Sequence, residues 1–385
     1  MKPSAFVLAI FVMTVGCSGG MDNPLDTNVA VDDGTADSAQ DTGGAEVNVY
    51  AGSASHGDLV VFSVDHAAGT CEVVNETTGQ NVSVDFSIIS DGQMQGVMKV
   101  DTGSDRFYAV ELPDKLIAAS FDTGNPYNTI SFGVSGGTDN MANQGNIPGD
   151  YVYIHIANAS VNGSTDIKEW GILSIIDDGT WRVKAYATDV GNGSMPAMAP
   201  EEFSGAFPVE EPDSTGSWAV NPADHARINV TMDDISGQLT GFAYAPDPNG
   251  IFVLDMGTGN GFILALKILP TMTLANLAGE YKYINVWNDS MGAGRSAGRA
   301  VINADGTGTF DSLDTDNNLS SGVFDLVIPC PNIQNMFHAN SSETSGDTTV
   351  ELKHYFVLLP YAFMGFNFRT DGGFRFVGYS VGTRL

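Results

Sequence analysis

Two stretches of this chain follow one plan, and that plan admits little besides antiparallel β-structure. In the later stretch, 277–310, Gly279-Glu280-Tyr281-Lys282-Tyr283-Ile284 corresponds to Gly149-Asp150-Tyr151-Val152-Tyr153-Ile154 in the earlier one, 147–181. Residues 298–302 then correspond to 171–175, and Asp305-Gly306-Thr307 to Asp178-Gly179-Thr180. Each copy opens with alternating aromatic residues, the period-two mark of a strand with one buried face. Asp-Gly between two such runs is a hairpin signal, because the turn needs positive φ angles that Gly and Asp tolerate.

A third, fainter copy is predicted to start at Gly57-Asp58-Leu59-Val60-Val61-Phe62, to continue at Gly69-Thr70 and to turn at Thr78-Gly79-Gln80. The later halves echo one another too: 92–96 is similar to 237–241, and 107–112 to 251–256. Three tandem units follow, at 47–146, 147–271 and 272–385, each long enough for its own core. Gly is abundant at 45 residues, and no window shows convincing helical periodicity. The class is therefore all-β, as tandem antiparallel meander barrels or sandwiches.

Leu277, Gly279 and Tyr281, followed by Asp305, Gly306, Thr307 and Phe310, carry an L-x-G-x-aromatic opening and a D-G-T-G-T-F hairpin. This pattern resembles that of the bacterial lipocalin-like (calycin) barrels. The resemblance implies meandering barrels, each able to hold one small apolar molecule inside. The lead-in 273–278 fits the turn that plugs the base of such a barrel. The plain alternative is an antiparallel sandwich with glycine turns.

The amino terminus points to export. Lys2 supplies a charge, and residues 5–15 form an apolar run too short to span a bilayer as a helix. Thr14-Val15-Gly16-Cys17 resembles a bacterial lipobox, which implies cleavage before Cys17 (residues 1–17 being the signal peptide together with its lipobox) and its acylation. Several acyl chains make a stable membrane anchor. Residues 18–46 are rich in Asp, Thr, Gly, Ala and Ser and contain no Lys or Arg. Such a segment buries no core and is expected to be a disordered acidic tether, with a reach of roughly 100 Å when extended. Ser18 resembles the residue that accompanies outer-membrane sorting, so the expected location is the cell envelope, as an outer-membrane lipoprotein facing the periplasm or the cell surface.

With 46 Asp and Glu against 16 Lys and Arg, the formal net charge is −30. That excess argues against nucleic acid as a partner and against electrostatic adsorption to anionic lipid. With Cys17 acylated, Cys71 and Cys330 remain. They form either a disulfide linking the first unit to the third or two separate buried thiols. No C-x-x-C and no Cys/His metal spacing occurs.

Signals of chemistry are sparse. Ser135 and Ser380 each sit in a G-x-S-x-G match, but no helix is expected after either, as a nucleophile elbow requires. His56, His66, His155, His225, His338 and His354 are scattered. Asp314, Asp316 and Asn318 resemble the start of a calcium loop, so calcium is the one cofactor expectation. Asp177 and Asp178 are adjacent and point apart. Trp170, Trp181, Trp218 and Trp287 serve as core or as sugar-stacking platforms. The segment 191–216, rich in Pro, Gly, Met and Glu, is long for a loop and is expected to be mobile or to grip a partner. The strands of 355–383 are apolar on both faces, as in an outer-membrane barrel, although the chain ends in Arg384-Leu385.

No catalytic residue is assigned. The sequence favours an exported, lipid-anchored protein of tandem β domains, with a binding or structural role and room for a small apolar ligand. The alternatives are a carbohydrate-binding or adhesive surface module, and a hydrolase whose site is assembled across strands. A Ser within hydrogen-bond reach of a His would favour the latter.

Overall fold

The computed structural model describes residues 47–385 apart from 91, 102–105, 121–129, 136–145, 158–166, 191–197, 223, 225–226, 234–235, 246–248, 270–271, 290–291, 315–318, 325–326, 346–347 and 370–374. The expected signal, Cys17 and the expected tether lie outside the described residues.

The first barrel is built from β1 (Val47–Ala54), β2 (Leu59–Asp65), β3 (Thr70–Asn75), β4 (Gln80–Ile88), β5 (Met98–Asp101), β6 (Arg106–Leu112), β7 (Leu116–Ala119) and β8 (Ser131–Ser135). The second is built from β9 (Gly149–Ala157), β10 (Ile167–Ile175), β11 (Thr180–Val190), β12 (Ser214–Val220), β13 (Arg227–Met232), β14 (Gln238–Tyr244), β15 (Ile251–Asp255) and β16 (Phe262–Lys267). The third has β17 (Gly279–Asp289), β18 (Gly292–Ile302), β19 (Gly308–Asp314), β20 (Leu319–Phe324), β21 (Ile328–Cys330), β22 (Ile333–Ser345), β23 (Thr348–Leu358), β24 (Ala362–Arg369) and β25 (Arg375–Arg384).

Each barrel is an antiparallel meander. β1 pairs with β8 and β9 with β16, which closes the first two rings. In the third, β17 pairs with β25, and the ring closes where β20 meets β22 at Phe324 and Ser341. The short β21 is a side strand on β22. Barrels are thus the form taken, and full closure removes exposed sheet edges.

The repeat is legible residue by residue in the second and third barrels. Asp178 Oδ1 accepts from the Thr180 amide (2.9 Å) and hydroxyl (2.6 Å), and Asp305 Oδ1 accepts from the same groups of Thr307 at 3.0 and 2.7 Å. Gly179 and Gly306 both have φ of 86°. The first barrel departs from its expected phase. Residues 59–62 belong to its second strand, not its first, because the barrel starts at Val47. The echo of 107–112 in 251–256 likewise pairs a sixth strand with a seventh. Period-two alternation makes any two such strands look alike, so it fixes faces and not strand number.

Residues 45–385 form one compact unit. Each barrel has an interior cluster, and a further cluster joins outward-facing side chains of all three, such as Val110 and Phe132, Trp170 and Leu264, Tyr355 and Phe366. The indole of Trp170 stacks on Phe366 at 6.0 Å between the second and third barrels. This cluster explains the strands of 355–383: the outward Tyr355, Val357, Met364, Phe366, Tyr379 and Val381 are covered by protein. A strand buried on both faces reads as a continuous apolar run. Among the described residues, no helix is long and apolar enough to cross a membrane.

The lead-in to the third barrel is a single helical turn, α1 (Leu274–Leu277), and Met272 and Leu274 pack against that barrel's interior cluster. Arg384 at the end of β25 ties it down through the carbonyls of Asn276 (3.1 Å) and Ala278 (2.7 Å).

Candidate functional site

The interiors of the barrels differ in how they are filled. In the third, Phe310, Phe324, Phe356 and Phe363 pack on one another and on Tyr281, with ring centroids 5.1 to 6.2 Å apart. The second is lined by Tyr151, Tyr153, Trp181, Trp218 and Phe252. The first is lined mainly by small aliphatic residues: Val60, Val64, Val73, Val100, Ala109 and Ile117. On β4 the inward Val82, Val84 and Phe86 are only half-buried, whereas the inward residues of β2 and β3 are fully buried. The inner face of β4, which pairs with β5 only from Phe86 onward, therefore keeps some contact with solvent.

A polar network sits in this apolar interior. Alternation along β1 turns Val47 and Val49 outward and Asn48 and Tyr50 inward. On β6 it turns Glu111 inward beside Ile117 of β7. Glu111 is 3% exposed. Its Oε1 accepts from the Tyr50 hydroxyl at 2.6 Å and from the Asn48 amide at 3.0 Å. Its Oε2 faces Nε2 of His66 at 2.6 Å. His66 comes from the turn joining β2 and β3, which is shaped by Asp65 Oδ1 accepting from the Ala68 amide (2.8 Å) and by Gly69 at φ 69°. The imidazole is 39% exposed and stands edge-on to Phe86 at 5.7 Å. It lies over the carboxylate as a polar lid.

The field of this carboxylate is felt around it. Burial, and then the bonded Glu111, hold the Tyr50 phenol far above the usual tyrosine range. Burial pushes the Cys71 thiol up to about 12, with Glu111 adding to the rise. Burial lowers the Lys282 ammonium of the third barrel, and Glu111 opposes it. The second barrel has a related pair, in which the Tyr153 hydroxyl donates to Glu169 at 2.7 Å. Burial, and then Glu169, raise that phenol too.

The third barrel holds a different chain. Ser341 on β22 lies 2.5 Å from Nε2 of His354 on β23, and Nδ1 of His354 lies 2.8 Å from Oδ1 of Asn367 on β24. All three are buried. The Asn oxygen accepts from Nδ1–H, which leaves Nε2 to accept from the serine hydroxyl. Phe324 stands edge-on to the imidazole at 5.5 Å and Phe356 stacks on it at 5.9 Å. Burial pushes the imidazole down to about 4, against the opposing bond to Asn367.

The sequence-derived candidates fare unevenly. Cys71 and Cys330 are both free and buried, one inside the first barrel and the other in the cluster between barrels. Of the two readings left open, a disulfide or two separate thiols, the structure has the second, each thiol in its own apolar surroundings. Ser380 lies within β25, and its hydroxyl donates to Asn285 at 3.1 Å. Ser135 ends β8 and is buried. Neither stands on a strand-to-helix turn. Trp170, Trp181 and Trp218 are buried, with their indole N–H groups on the carbonyls of Met198, Thr231 and Ile176 at 2.9 to 3.1 Å. These three offer no face to a sugar. The Trp287 side chain and His225 lie outside the described residues.

Asp314 ends β19 and its carbonyl accepts from the Tyr108 hydroxyl at 3.2 Å, whereas Asp316 and Asn318 lie outside the described residues. Among the described residues, no group of three His, Cys, Asp or Glu is arranged to hold a metal ion.

The described part of the long loop, 198–213, is a packed strap between the second and third barrels. Phe203 is buried against Tyr186 at 5.1 Å and Phe207 at 5.5 Å. Glu201 pairs with Lys353 of β23, and Asn332 donates to the Phe203 carbonyl. The Val209 amide donates to Ser174 at 3.1 Å. Sequence reasoning named His66 and His354 only among scattered histidines and missed their partners Glu111, Ser341 and Asn367, since nothing local marks residues that meet only when a barrel closes.

No family model matches the sequence, and no curated protein matches it. Among solved structures, the chain has a likeness to intact Ap-TbpB with its N and C lobes, at 11% identity and a TM-score of 0.23, covering 88% of this chain and 77% of that one. A mutant of transferrin binding protein B from Haemophilus parasuis Hp5 is similar at 10% identity and a TM-score of 0.25, covering 88% and 76%. A protein of unknown function from the DUF3598 family of Nostoc punctiforme PCC 73102 is similar at 9% identity and a TM-score of 0.20, covering 64% of this chain and 98% of that one. The barrel architecture rests on the strand pairing of this chain itself.

Proposed function

We propose that this chain is an exported, lipid-anchored protein of the cell envelope that works by binding, without catalysis, and that its first barrel holds a small molecule with an apolar body. One observation supports this reading: the inward Val82, Val84 and Phe86 of β4 remain half-buried, which leaves an apolar inner face within reach of solvent. The aromatic rings of the third barrel fill its interior instead. The anchor rests on Lys2, the apolar run and the lipobox-like Cys17, and an outer-membrane position on Ser18.

Native mass spectrometry of the mature chain, purified from its host with and without chelator, tests the binding reading. An adduct of a few hundred daltons, lost on denaturation and absent from Val84→Trp, supports a ligand in the first barrel. A bare polypeptide mass from a preparation shown to be folded would count against it. A small, chelator-sensitive increment would instead place calcium at the loop of Asp314, Asp316 and Asn318. Labelled palmitate incorporated by the wild type and not by Cys17→Ser tests the anchor.

The Ser341–His354–Asn367 chain favours a second reading, a hydrolase, because a neutral imidazole that accepts from a serine and is oriented through its other nitrogen is a nucleophile-and-base arrangement. Ester hydrolysis by the wild type that disappears in Ser341→Ala would establish it. Equal rates in both would dismiss it.

A further inference from the structure

We infer that the molecule held by the first barrel carries a cationic nitrogen, a primary amine or a related group, which docks on Glu111 in the place now taken by His66. This inference rests on the ligand-holding reading given above and names the chemistry of the ligand head.

A carboxylate inside an apolar barrel is costly unless donors surround it. Glu111 has two kinds of donor. Asn48 and Tyr50 are themselves buried, rise from the barrel wall and both engage Oε1. They form a fixed floor. The donor at Oε2 is different, because His66 stands on a turn, is 39% exposed and reaches inward to make its 2.6 Å contact. The chain thus fills one half of the carboxylate with its wall and the other half with a removable nitrogen from the rim. A ligand ammonium at the same place makes the same N–H···O contact, with charge assistance. Its apolar body then lies along Val82, Val84 and Phe86, and Phe86 is the ring against which His66 now rests.

Of the charges nearby, Lys282 is drawn to Glu111 and works against a second cation, but its ammonium is held on the Gly96 carbonyl at 3.1 Å. A net charge of −30 draws cations towards the protein and repels a carboxylate-headed ligand of equal length. Head-group choice would then come from Glu111, and the aliphatic lining would accept chains of varied shape.

The test uses the full mature chain and three probes of equal length: decylamine, decanol and decanoate, each below its micelle concentration, measured by calorimetry. Decylamine should bind about tenfold more tightly than decanol, and decanoate most weakly. Glu111→Gln keeps a neutral group of the same shape. It should bring decylamine to the level of decanol, and an unchanged circular dichroism spectrum and unfolding midpoint show that the variant is folded. His66→Ala should tighten decylamine several-fold by removing the competing nitrogen. Decanol bound as tightly as decylamine by the wild type would overturn the inference and leave the apolar barrel standing. None of the three probes bound by folded protein would overturn both.

Discussion

Gly298 and Tyr283 stand opposite each other on β18 and β17, so close that a methyl group on Gly298 would meet the phenol ring at 2.5 Å, as well as the Asp311 carbonyl oxygen at 2.3 Å. Gly171 and Tyr153 repeat this relationship in the second barrel, where the ring would be met at 2.6 Å and the Lys184 carbonyl oxygen at 2.1 Å. In both cases a glycine on the second strand makes room for an inward tyrosine of the first. Gly298→Ala should therefore overpack the third barrel and destabilise the fold by about 1–3 kcal/mol. The midpoint of urea unfolding reads this directly, and an unchanged midpoint would mean that the Tyr283 ring and the Asp311 carbonyl both have space to move.

His354 should make stability fall in mild acid. Its folded value of about 4 lies below the ordinary 6.5, so the unfolded chain binds a proton first. Stability is then full above about pH 6.5, declines as the pH falls towards 4, and loses nothing more from this group below that. The size is on the order of 3 kcal/mol across the window. Unfolding measured from pH 4 to 7 for wild type and His354→Gln isolates the effect. The variant's profile should be flatter, and parallel profiles would refute the assignment.

Both buried thiols should be silent in the native protein. Burial raises Cys71 and Cys330 to about 12, so at pH 8 almost none of either is the reactive thiolate. Ellman's reagent should react with neither until denaturant is added, and then with both. Non-reducing and reducing gels should give one mobility. Protection from the reagent under oxidising, denaturing conditions would instead reveal a disulfide.

Phe203 anchors the strap between the second and third barrels, buried between Tyr186 and Phe207 with its carbonyl on Asn332. Phe203→Ala should cost about 3–5 kcal/mol, as large-to-small changes in cores do. Limited proteolysis of the variant should cut within 198–213 faster than in the wild type. Equal cleavage and stability would make the strap a passive covering.

Much of the architecture is legible locally. The alternation in 279–284 and 149–154 marks inward tyrosines, and the Asp-Gly-Thr turns recur with the same two hydrogen bonds because an Asp side chain and a following Thr suffice to make them. The phase of the first barrel was not legible, since β1 opens without a glycine-aspartate or glycine-glutamate lead and resembles any half-buried strand. The site was not legible either. His66 and Glu111 are 45 positions apart, and neither belongs to a motif.

The sequence by itself determined what short-range physics controls: strands instead of helices, hairpins at Asp178-Gly179 and Asp305-Gly306, an acidic surface, and inward aromatic residues in each repeat. Tertiary structure decided what depends on closure and docking. Each ring closes through its first and last strands or through the meeting of Phe324 and Ser341, and only that event brings distant residues to one interior. Closure set Glu111 beneath His66 and joined Ser341, His354 and Asn367. Docking turned the apolar outer faces of three barrels into one shared core and left Cys71 and Cys330 in separate surroundings. The physical reason is that a strand's alternation specifies which side chains turn together, whereas the partners they meet are chosen by strands that lie far away in the chain.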